Sequence, residues 1–149
     1  MVDNPELKPL EPLVGRWQTS GRTIPGPSDP GVTISGTDVY EWLGGGFLVH
    51  HADVLLGESR VRVIELIGDH DPADGTYAMR SFDADGAFTT MRAKVDEDGV
   101  WTFANESIRT TLTIGEGGER MAARWERLDD GSDWCHWMDL SFTRLPDGR

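Results

Sequence analysis

Basic residues, cysteines and long apolar runs are all scarce in this sequence. Its 149 residues carry 14 Lys and Arg against 26 Asp and Glu, which gives a formal charge of −12. We therefore expect no nucleic-acid partner, because phosphate binding needs a basic surface, and no docking to an anionic membrane. No apolar run approaches the roughly 20 residues of a membrane-spanning helix. The start of the chain lacks a basic region followed by an apolar run, so we expect no secretory signal.

The single cysteine, Cys135, cannot form an internal disulfide. Such sparing use of cysteine fits a reducing compartment, and together with the missing secretory signal it predicts a cytoplasmic protein. The length predicts one domain over residues 1–149, since domains most often run to about 100–150 residues.

The sequence does contain a recurring alternation of apolar and polar residues between short acidic clusters. The acids collect with glycine in clusters such as 83–86 (DADG) and 96–99 (DEDG). Asp caps a turn and Gly supplies the positive φ of a tight hairpin, so these clusters predict turns. Between them, a two-residue period predicts antiparallel strands with one buried face. On the last strand this period places Trp134, His136 and Met138 on one face.

This alternation predicts an all-β fold, a single antiparallel meander of about ten strands. The connections are short, so each strand is expected to pair with the next, and closure into a barrel removes the exposed edges. Only the region near residues 6–13 suggests a short turn of helix, restricted by its prolines. The predicted strands lie near 14–24, 32–43, 46–56, 59–68, 76–83, 86–95, 99–105, 107–115, 119–129 and 133–145.

Four groups of residues resemble known proteins. The segment Leu10-x-x-Leu13-Val14-Gly15-Arg16-Trp17 is similar to the opening of the calycin group: lipocalins, fatty-acid-binding proteins and nitrobindin-like proteins. Further matches are 40–43 (YEWL), 125–131 (WERLDDG) and 137–139 (WMD). Together these residues resemble an actinobacterial domain family of unknown function that is placed among the calycin-like barrels. The resemblance implies a lipocalin-like barrel whose floor is closed by the indole of Trp17.

The resemblance also implies an interior that binds a small apolar or carboxylated molecule. Fatty-acid-binding proteins hold a ligand carboxylate with interior Arg and Tyr, and Arg80 or Arg109 with Tyr40 or Tyr77 would act likewise. Of His50 and His51 only one can face inward, because adjacent strand residues point to opposite faces. The expected ligand-binding residues are Trp17, Tyr40, Trp42, His50, Glu65, Arg80, Arg109, Trp125 and His136.

Two alternatives would give the barrel a chemical role. Glu65 lies in the most apolar predicted strand, on the face of Val63 and Ile67, where a carboxyl would be desolvated or paired with an arginine. With a strand histidine, Glu65 would serve as the catalytic acid or base of a cyclase or isomerase acting on a natural-product intermediate. Nitrobindin-like proteins bind haem through a proximal histidine, and the resemblance makes His136 the candidate for that ligand.

Apart from haem, the sequence predicts no cofactor. It contains neither the paired histidines of a helical zinc site nor a Cys–His cluster, so no metal site is expected. A homodimer is compatible with the sequence, because an open barrel edge would pair between subunits.

Overall fold

The structure is a computed structural model that describes residues 2–129 and 132–146. Asp130 and Gly131, which belong to the resembled turn 125–131, lie outside the described residues. Among the described residues, no helix has the length and apolar character needed to cross a membrane. The elements are a 3₁₀ helix (Lys8–Leu13), β1 (Gly15–Thr23), β2 (Thr33–Leu43), β3 (Phe47–Leu56), β4 (Ser59–Asp71), β5 (Thr76–Asp83), β6 (Phe88–Val95), β7 (Trp101–Ala104), β8 (Ile108–Ile114), a short 3₁₀ turn (Glu116–Gly118), β9 (Arg120–Leu128) and β10 (Trp134–Arg144).

The ten strands form one closed antiparallel barrel in which each strand pairs with the next and β10 returns to β1. The predicted all-β meander and its closure are confirmed. The register then decides which side chains share the inner wall, because side chains alternate along each strand. Tyr40, His50 and Glu65 are successive cross-strand partners on β2, β3 and β4, so they share one face.

The Asp-Gly clusters form turns, as predicted. Between β6 and β7, the Asp96 carboxylate accepts hydrogen bonds from the backbone N–H groups of Asp98 and Val100 at 2.9 and 3.0 Å. Gly99 in the same turn has a φ of +82°, a conformation that residues with a Cβ disfavour. The acidic residues here cap strand connections, which accounts for part of the negative charge of the chain.

One end of the barrel, which we call the plugged end, is closed by the N-terminal 3₁₀ helix. Leu10 and Leu13 of this helix are fully buried with Trp17, whose indole N–H donates to the Leu13 carbonyl at 2.9 Å. Arg144 lies over the same ring, with its guanidinium carbon 4.2 Å from the ring centre. Its nitrogens also donate to two backbone carbonyls of the 12–14 segment at 2.6 and 3.1 Å. These contacts tie the two ends of the chain together around the floor indole.

The opposite end, which we call the open end, carries the β1–β2, β3–β4, β5–β6 and β7–β8 connections. Inward-facing side chains at the open end of β3 and β4 are only half-buried, whereas Leu48 and Ile67, nearer the plugged end of the same strands, are 0% and 1% exposed. On the neighbouring strand β2, Ile34 is 1% exposed although it lies at the open end. Solvent therefore enters the barrel from this end, and we call the accessible interior the cup. Its inward-facing, half-buried residues include Thr23, Gly36, Ala52, Val54, Val61, Val63 and Ser81.

One predicted strand face is wrong. The alternation placed Trp134, His136 and Met138 on one face, but the register of β10 against β9 shifts between His136 and Met138. A β-bulge at this point takes up one extra residue, and a one-residue slip moves side chains to the other face. Met138 is 8% exposed and faces the interior, whereas His136 lies on the outer wall and contacts Asp139.

Candidate functional site

A row of polar side chains crosses the inner wall where the cup meets the packed core. Asp38 on β2, His50 on β3 and Glu65 on β4 form its centre. Their side chains are 8%, 15% and 9% exposed, so solvent has only narrow access to them. Thr19 on β1 and Ser81 on β5 extend the row at its two ends. We call these five residues the polar row.

His50 is held between two carboxylates. Its Nε2 lies 2.6 Å from Asp38 Oδ1, and its Nδ1 lies 3.1 Å from Glu65 Oε1. The second oxygen of each carboxylate accepts from a hydroxyl: Thr19 donates to Asp38, and Ser81 donates to Glu65 at 2.5 Å. Ionised carboxylates only accept hydrogen bonds, so with Asp38 and Glu65 ionised both ring nitrogens of His50 donate. The geometry therefore favours the cationic imidazolium.

The same arrangement raises the pKa of His50 to about 9. Burial alone would lower the pKa, but the hydrogen bonds and negative charges of Asp38 and Glu65 outweigh it. Tyr40 stacks on the imidazole, with ring centres 4.1 Å apart and planes 6° apart. Burial, and then the charges of the same two carboxylates, raise the pKa of Tyr40 well above its ordinary value. At neutral pH a cationic imidazolium thus lies between the two carboxyl groups, beside a neutral phenol.

The opposite wall carries two buried polar atoms without a partner among the described residues. Thr110 on β8 is 2% exposed, and its Oγ1 has no hydrogen-bond partner. The indole Nε1 of Trp125, its cross-strand neighbour on β9, is likewise buried and unpaired. In the closed order of ten strands β8 lies five strands from β3, so this pair stands across the barrel from His50. Leaving such a group unpaired costs about 1–3 kcal/mol, so both atoms are suited to a bound partner.

Six of the nine expected ligand-binding residues lie inside the barrel, and three of them meet at or beside the polar row. On β3 it is His50 that faces inward, whereas His51 points outward to Glu41 at 3.4 Å. Glu65 faces inward as expected, with a histidine and a serine as its partners in place of an arginine. Ligand contact by any of these residues stays a prediction. The six are Trp17, Tyr40, Trp42, His50, Glu65 and Trp125.

The other three expected residues, Arg80, Arg109 and His136, lie on the outer wall. Each contacts a carboxylate there, at 3.0, 2.8 and 2.7 Å between the paired atoms. Tyr77, the other expected partner for a ligand carboxylate, donates its hydroxyl to a backbone carbonyl of the plugged end at 2.5 Å. The structure therefore does not bring Arg80 or Arg109 together with Tyr40 or Tyr77 inside the barrel.

Sequence reasoning missed three members of the polar row: Thr19, Asp38 and Ser81. Asp38 precedes Tyr40 by two residues, so the alternation that places Tyr40 inside also indicates Asp38. Ser81 becomes visible only through the register of β5 on β4, which sets it opposite Glu65. Short polar side chains do not contribute to a pattern of apolar residues, so that pattern does not identify them as inward-facing.

The histidines do not fit a haem or metal site. In the parts of the chain that the structure describes, no group of three or more His, Cys, Asp or Glu could hold a metal ion. His136 lies on the outer wall, and both ring nitrogens of His50 face carboxylates. Neither imidazole is placed to ligate iron inside the barrel. The same contacts leave His50 without a free nitrogen to act as a base alongside Glu65, as the enzymatic alternative would need.

Two open depressions also mark the outer wall of the barrel. Residues lining the first include His51, Arg62 and Phe82 together with Ala52 and Val63 of the cup. Those lining the second include Thr37 and Arg60 together with Gly36 and Val54 of the cup. Neither depression contains a residue of the polar row. The buried polar groups converge instead on the inner wall of the cup.

The sequence matches no protein-family profile and no curated protein. The fold does match solved structures, among them the crystal structure of Rv2717c from M. tuberculosis, with a TM-score of 0.73. The match covers 96% of this chain and 99% of that chain at 15% sequence identity. At this identity the likeness shows the fold alone, a ten-strand antiparallel barrel. Membership of the actinobacterial domain family stays a prediction.

Proposed function

We propose that the barrel binds a small molecule in the cup, with the polar part of the ligand against the polar row. The observation that carries this proposal is the row itself, in which three ionisable side chains meet at the floor of an accessible interior. Paired charges are costly to bury, and apolar residues of similar volume often replace them at no loss of stability. A barrel built for stability alone would continue the apolar filling of the plugged end.

The wall of the cup suits the apolar part of such a ligand. Ala52, Val54 and Val63 face inward between the polar row and the solvent, and all three are half-buried. Ligand sites of this kind combine apolar walls with a few placed polar groups. Small antiparallel barrels such as lipocalins hold one small ligand in their interior, which agrees with the fold.

Fluorescence titration with N-phenyl-1-naphthylamine, a neutral probe that brightens in apolar surroundings, tests the proposal. We expect a saturable rise that corresponds to one site per barrel. Val63→Trp places an indole in the cup and should abolish the rise. Ile64→Trp is the matched control, since Ile64 is the outward neighbour at 41% exposure, and it should bind as the parent protein does.

Two results would contradict the proposal: no saturable binding to the parent protein, or equal binding by both folded variants. Near-ultraviolet circular dichroism checks that each variant is folded. Should Val63→Trp not fold, Ala52→Phe fills the same interior from the neighbouring strand and gives the same test.

A further inference from the structure

We propose that the cup selects a ligand with a protonated amine, which the carboxylates of Asp38 and Glu65 bind. This inference rests on the proposed function, because it names the chemical class of the ligand for the same cup. It also departs from the carboxylated ligand that the resemblance implies.

The first argument is the hydrogen-bonding capacity of the polar row. Every donor in the row is already used: both N–H groups of His50 and the hydroxyls of Thr19 and Ser81 point to the two carboxylates. An ionised carboxylate accepts about four hydrogen bonds. Asp38 and Glu65 each accept two within the row, so acceptor capacity remains on both. The row therefore offers a ligand acceptors and no donors.

The second argument is charge. One imidazolium at +1 and two carboxylates at −1 each give the row a net charge of −1. Shielding from water strengthens charge interactions, so a cation is attracted here more than at the surface, and a carboxylate is repelled. Nearer the rim, Asp83 and Arg127 also occupy inward positions and add no net charge. The Asp83 carboxylate accepts backbone hydrogen bonds of the β5–β6 turn, and the Arg127 guanidinium carbon lies 4.7 Å from the ring centre of Trp137 on the opposite wall.

The arginines do not change this balance. Arg80 and Arg109, which the resemblance assigned to a ligand carboxylate, are on the outer wall and pair with Asp69 and Glu126. On β1–β5, the strands that carry the polar row, the arginines among the described residues all point outward, so this part of the wall has no guanidinium to hold an anion.

The opposite wall gives an independent indication of a ligand. Thr110 is 2% exposed with an unpaired Oγ1, and the neighbouring Nε1 of Trp125 is also unpaired. Both atoms can donate, and so they complement the acceptors of the polar row across the barrel. Trp125 meets Trp137 edge to face, with ring centres 5.9 Å apart, and this pair offers an apolar surface. A ligand with an amine at one end and an oxygen acceptor on its apolar body would satisfy both walls.

Three fluorescent probes with one common body test the charge preference. Dansylcadaverine carries a primary ammonium, its N-acetyl derivative is neutral, and dansyl-6-aminohexanoate carries a carboxylate. At about 0.15 M salt, where exposed charges are screened beyond about 8 Å, the ammonium probe should bind tightest and the carboxylate probe weakest. Because the ammonium would make a charge-assisted hydrogen bond, we expect the Kd of the ammonium probe to be about tenfold lower than that of the carboxylate probe.

Glu65→Gln removes one charge from the row while keeping the shape of the side chain. We expect the preference for the ammonium probe to fall by about tenfold. Glu41→Gln is the matched control, because Glu41 loses the same charge from an exposed pair with His51 and the preference should persist. This control distinguishes the effect of the polar row on the ammonium probe from the attraction that the whole chain, with its charge of −12, exerts on any cation. Asp38→Asn tests the other carboxylate if Glu65→Gln does not fold.

The outcomes separate this inference from the proposed function. Equal affinity for the three probes overturns the amine preference and leaves binding in the cup intact. An equal loss of preference in Glu65→Gln and Glu41→Gln also overturns it, because overall charge would then be the cause. If none of the three probes binds, the amine preference is overturned, and the naphthylamine titration decides separately whether the cup binds small molecules.

Discussion

The two ends of the barrel differ in how the same strands fill the interior. At the plugged end large apolar side chains occupy the inner wall, and Trp17, Leu48 and Ile67 are at most 1% exposed. At the open end the inner faces of β3 and β4 carry small aliphatic side chains and lead to a row of charges. Complete apolar burial stabilises the fold by about 25 cal/mol per Å², which lets the other end keep groups that burial disfavours.

Strand β4 shows this change within a few residues. Ile67 is 1% exposed in the core, Glu65 is 7% exposed in the polar row, and Val63 is half-buried in the cup. Each step of two residues keeps the side chain on the inner wall and moves it about 7 Å along the strand. Residues for stability and residues for the proposed binding therefore lie on the same face of β4. Single substitutions on this face can test the two roles separately.

The largest effect should come from the floor of the plugged end. Trp17→Ala removes a fully buried indole together with its hydrogen bond to Leu13 and its contact with Arg144. We expect a loss of about 3–5 kcal/mol in the free energy of unfolding, measured with urea. Trp134→Ala is the control, because this ring is half-buried on the outer wall, 4.3 Å from the Arg109 guanidinium carbon. Trp134→Ala should cost about 1 kcal/mol. Equal losses in the two variants would contradict the conclusion that the plugged end contributes most to stability.

The next effect belongs to the polar row and depends on pH. The folded state raises the pKa of His50 from 6.5 to about 9, so it binds the proton more tightly than the unfolded state does. The stabilisation is therefore fully present below about pH 6.5 and is lost as the pH rises through about 9. The difference corresponds to about 3 kcal/mol of unfolding free energy, which urea titrations at about pH 6 and about pH 9.5 should reveal.

Variants of the two adjacent histidines assign this pH dependence. His50→Gln should flatten the profile between the two pH values, since the titrating group between Asp38 and Glu65 is gone. His51→Gln should leave it unchanged, because His51 is 47% exposed and pairs with the exposed Glu41. Two results would contradict this prediction: an unfolding free energy of the parent protein that does not change between the two pH values, or the same change in His50→Gln as in the parent. Either would show that the polar row does not cause the pH dependence of stability.

A smaller effect concerns the contact that holds the plug in place. The Tyr77 hydroxyl donates to the Glu6 carbonyl at 2.5 Å, just before the 3₁₀ helix. Tyr77→Phe keeps the buried ring and should cost about 1 kcal/mol. Hydrogen exchange should speed up at the amides of residues 7–14, while the amides of β3 near the polar row keep their protection. A uniform change along the chain would show that the plug has no separate local stability.

The meander and its turns could be predicted because their signals are local. Alternation identifies strands, and clusters such as 83–86 identify turns without knowledge of the partners. The inward face of Tyr40 and Glu65 follows from the same alternation. The face of His136 could not be predicted, because one extra residue in β10 reverses it and the sequence around the bulge keeps its two-residue period.

The composition of the site depended on register, which the sequence does not reveal. Glu65 was expected either desolvated or beside an arginine; it is 7% exposed, and its partners are His50 and Ser81. Once Ser81 is known to lie opposite Glu65, its neighbour Arg80 must point to the other face. The pairing of β5 with β4 thus explains why Ser81 contacts Glu65 and why Arg80 does not.

The smallest effects should come from the outer wall. Arg80 and Arg109 are 40% and 42% exposed in their ion pairs, and exposed pairs contribute about 0–1 kcal/mol. Arg80→Gln should therefore be nearly neutral in urea unfolding, and Arg109→Gln should cost somewhat more, because its guanidinium also stacks on Trp134. Neither variant should alter the affinity of dansyl-6-aminohexanoate. Weaker binding of that carboxylate probe in either variant would restore the arginine site implied by the resemblance and would place the ligand outside the cup.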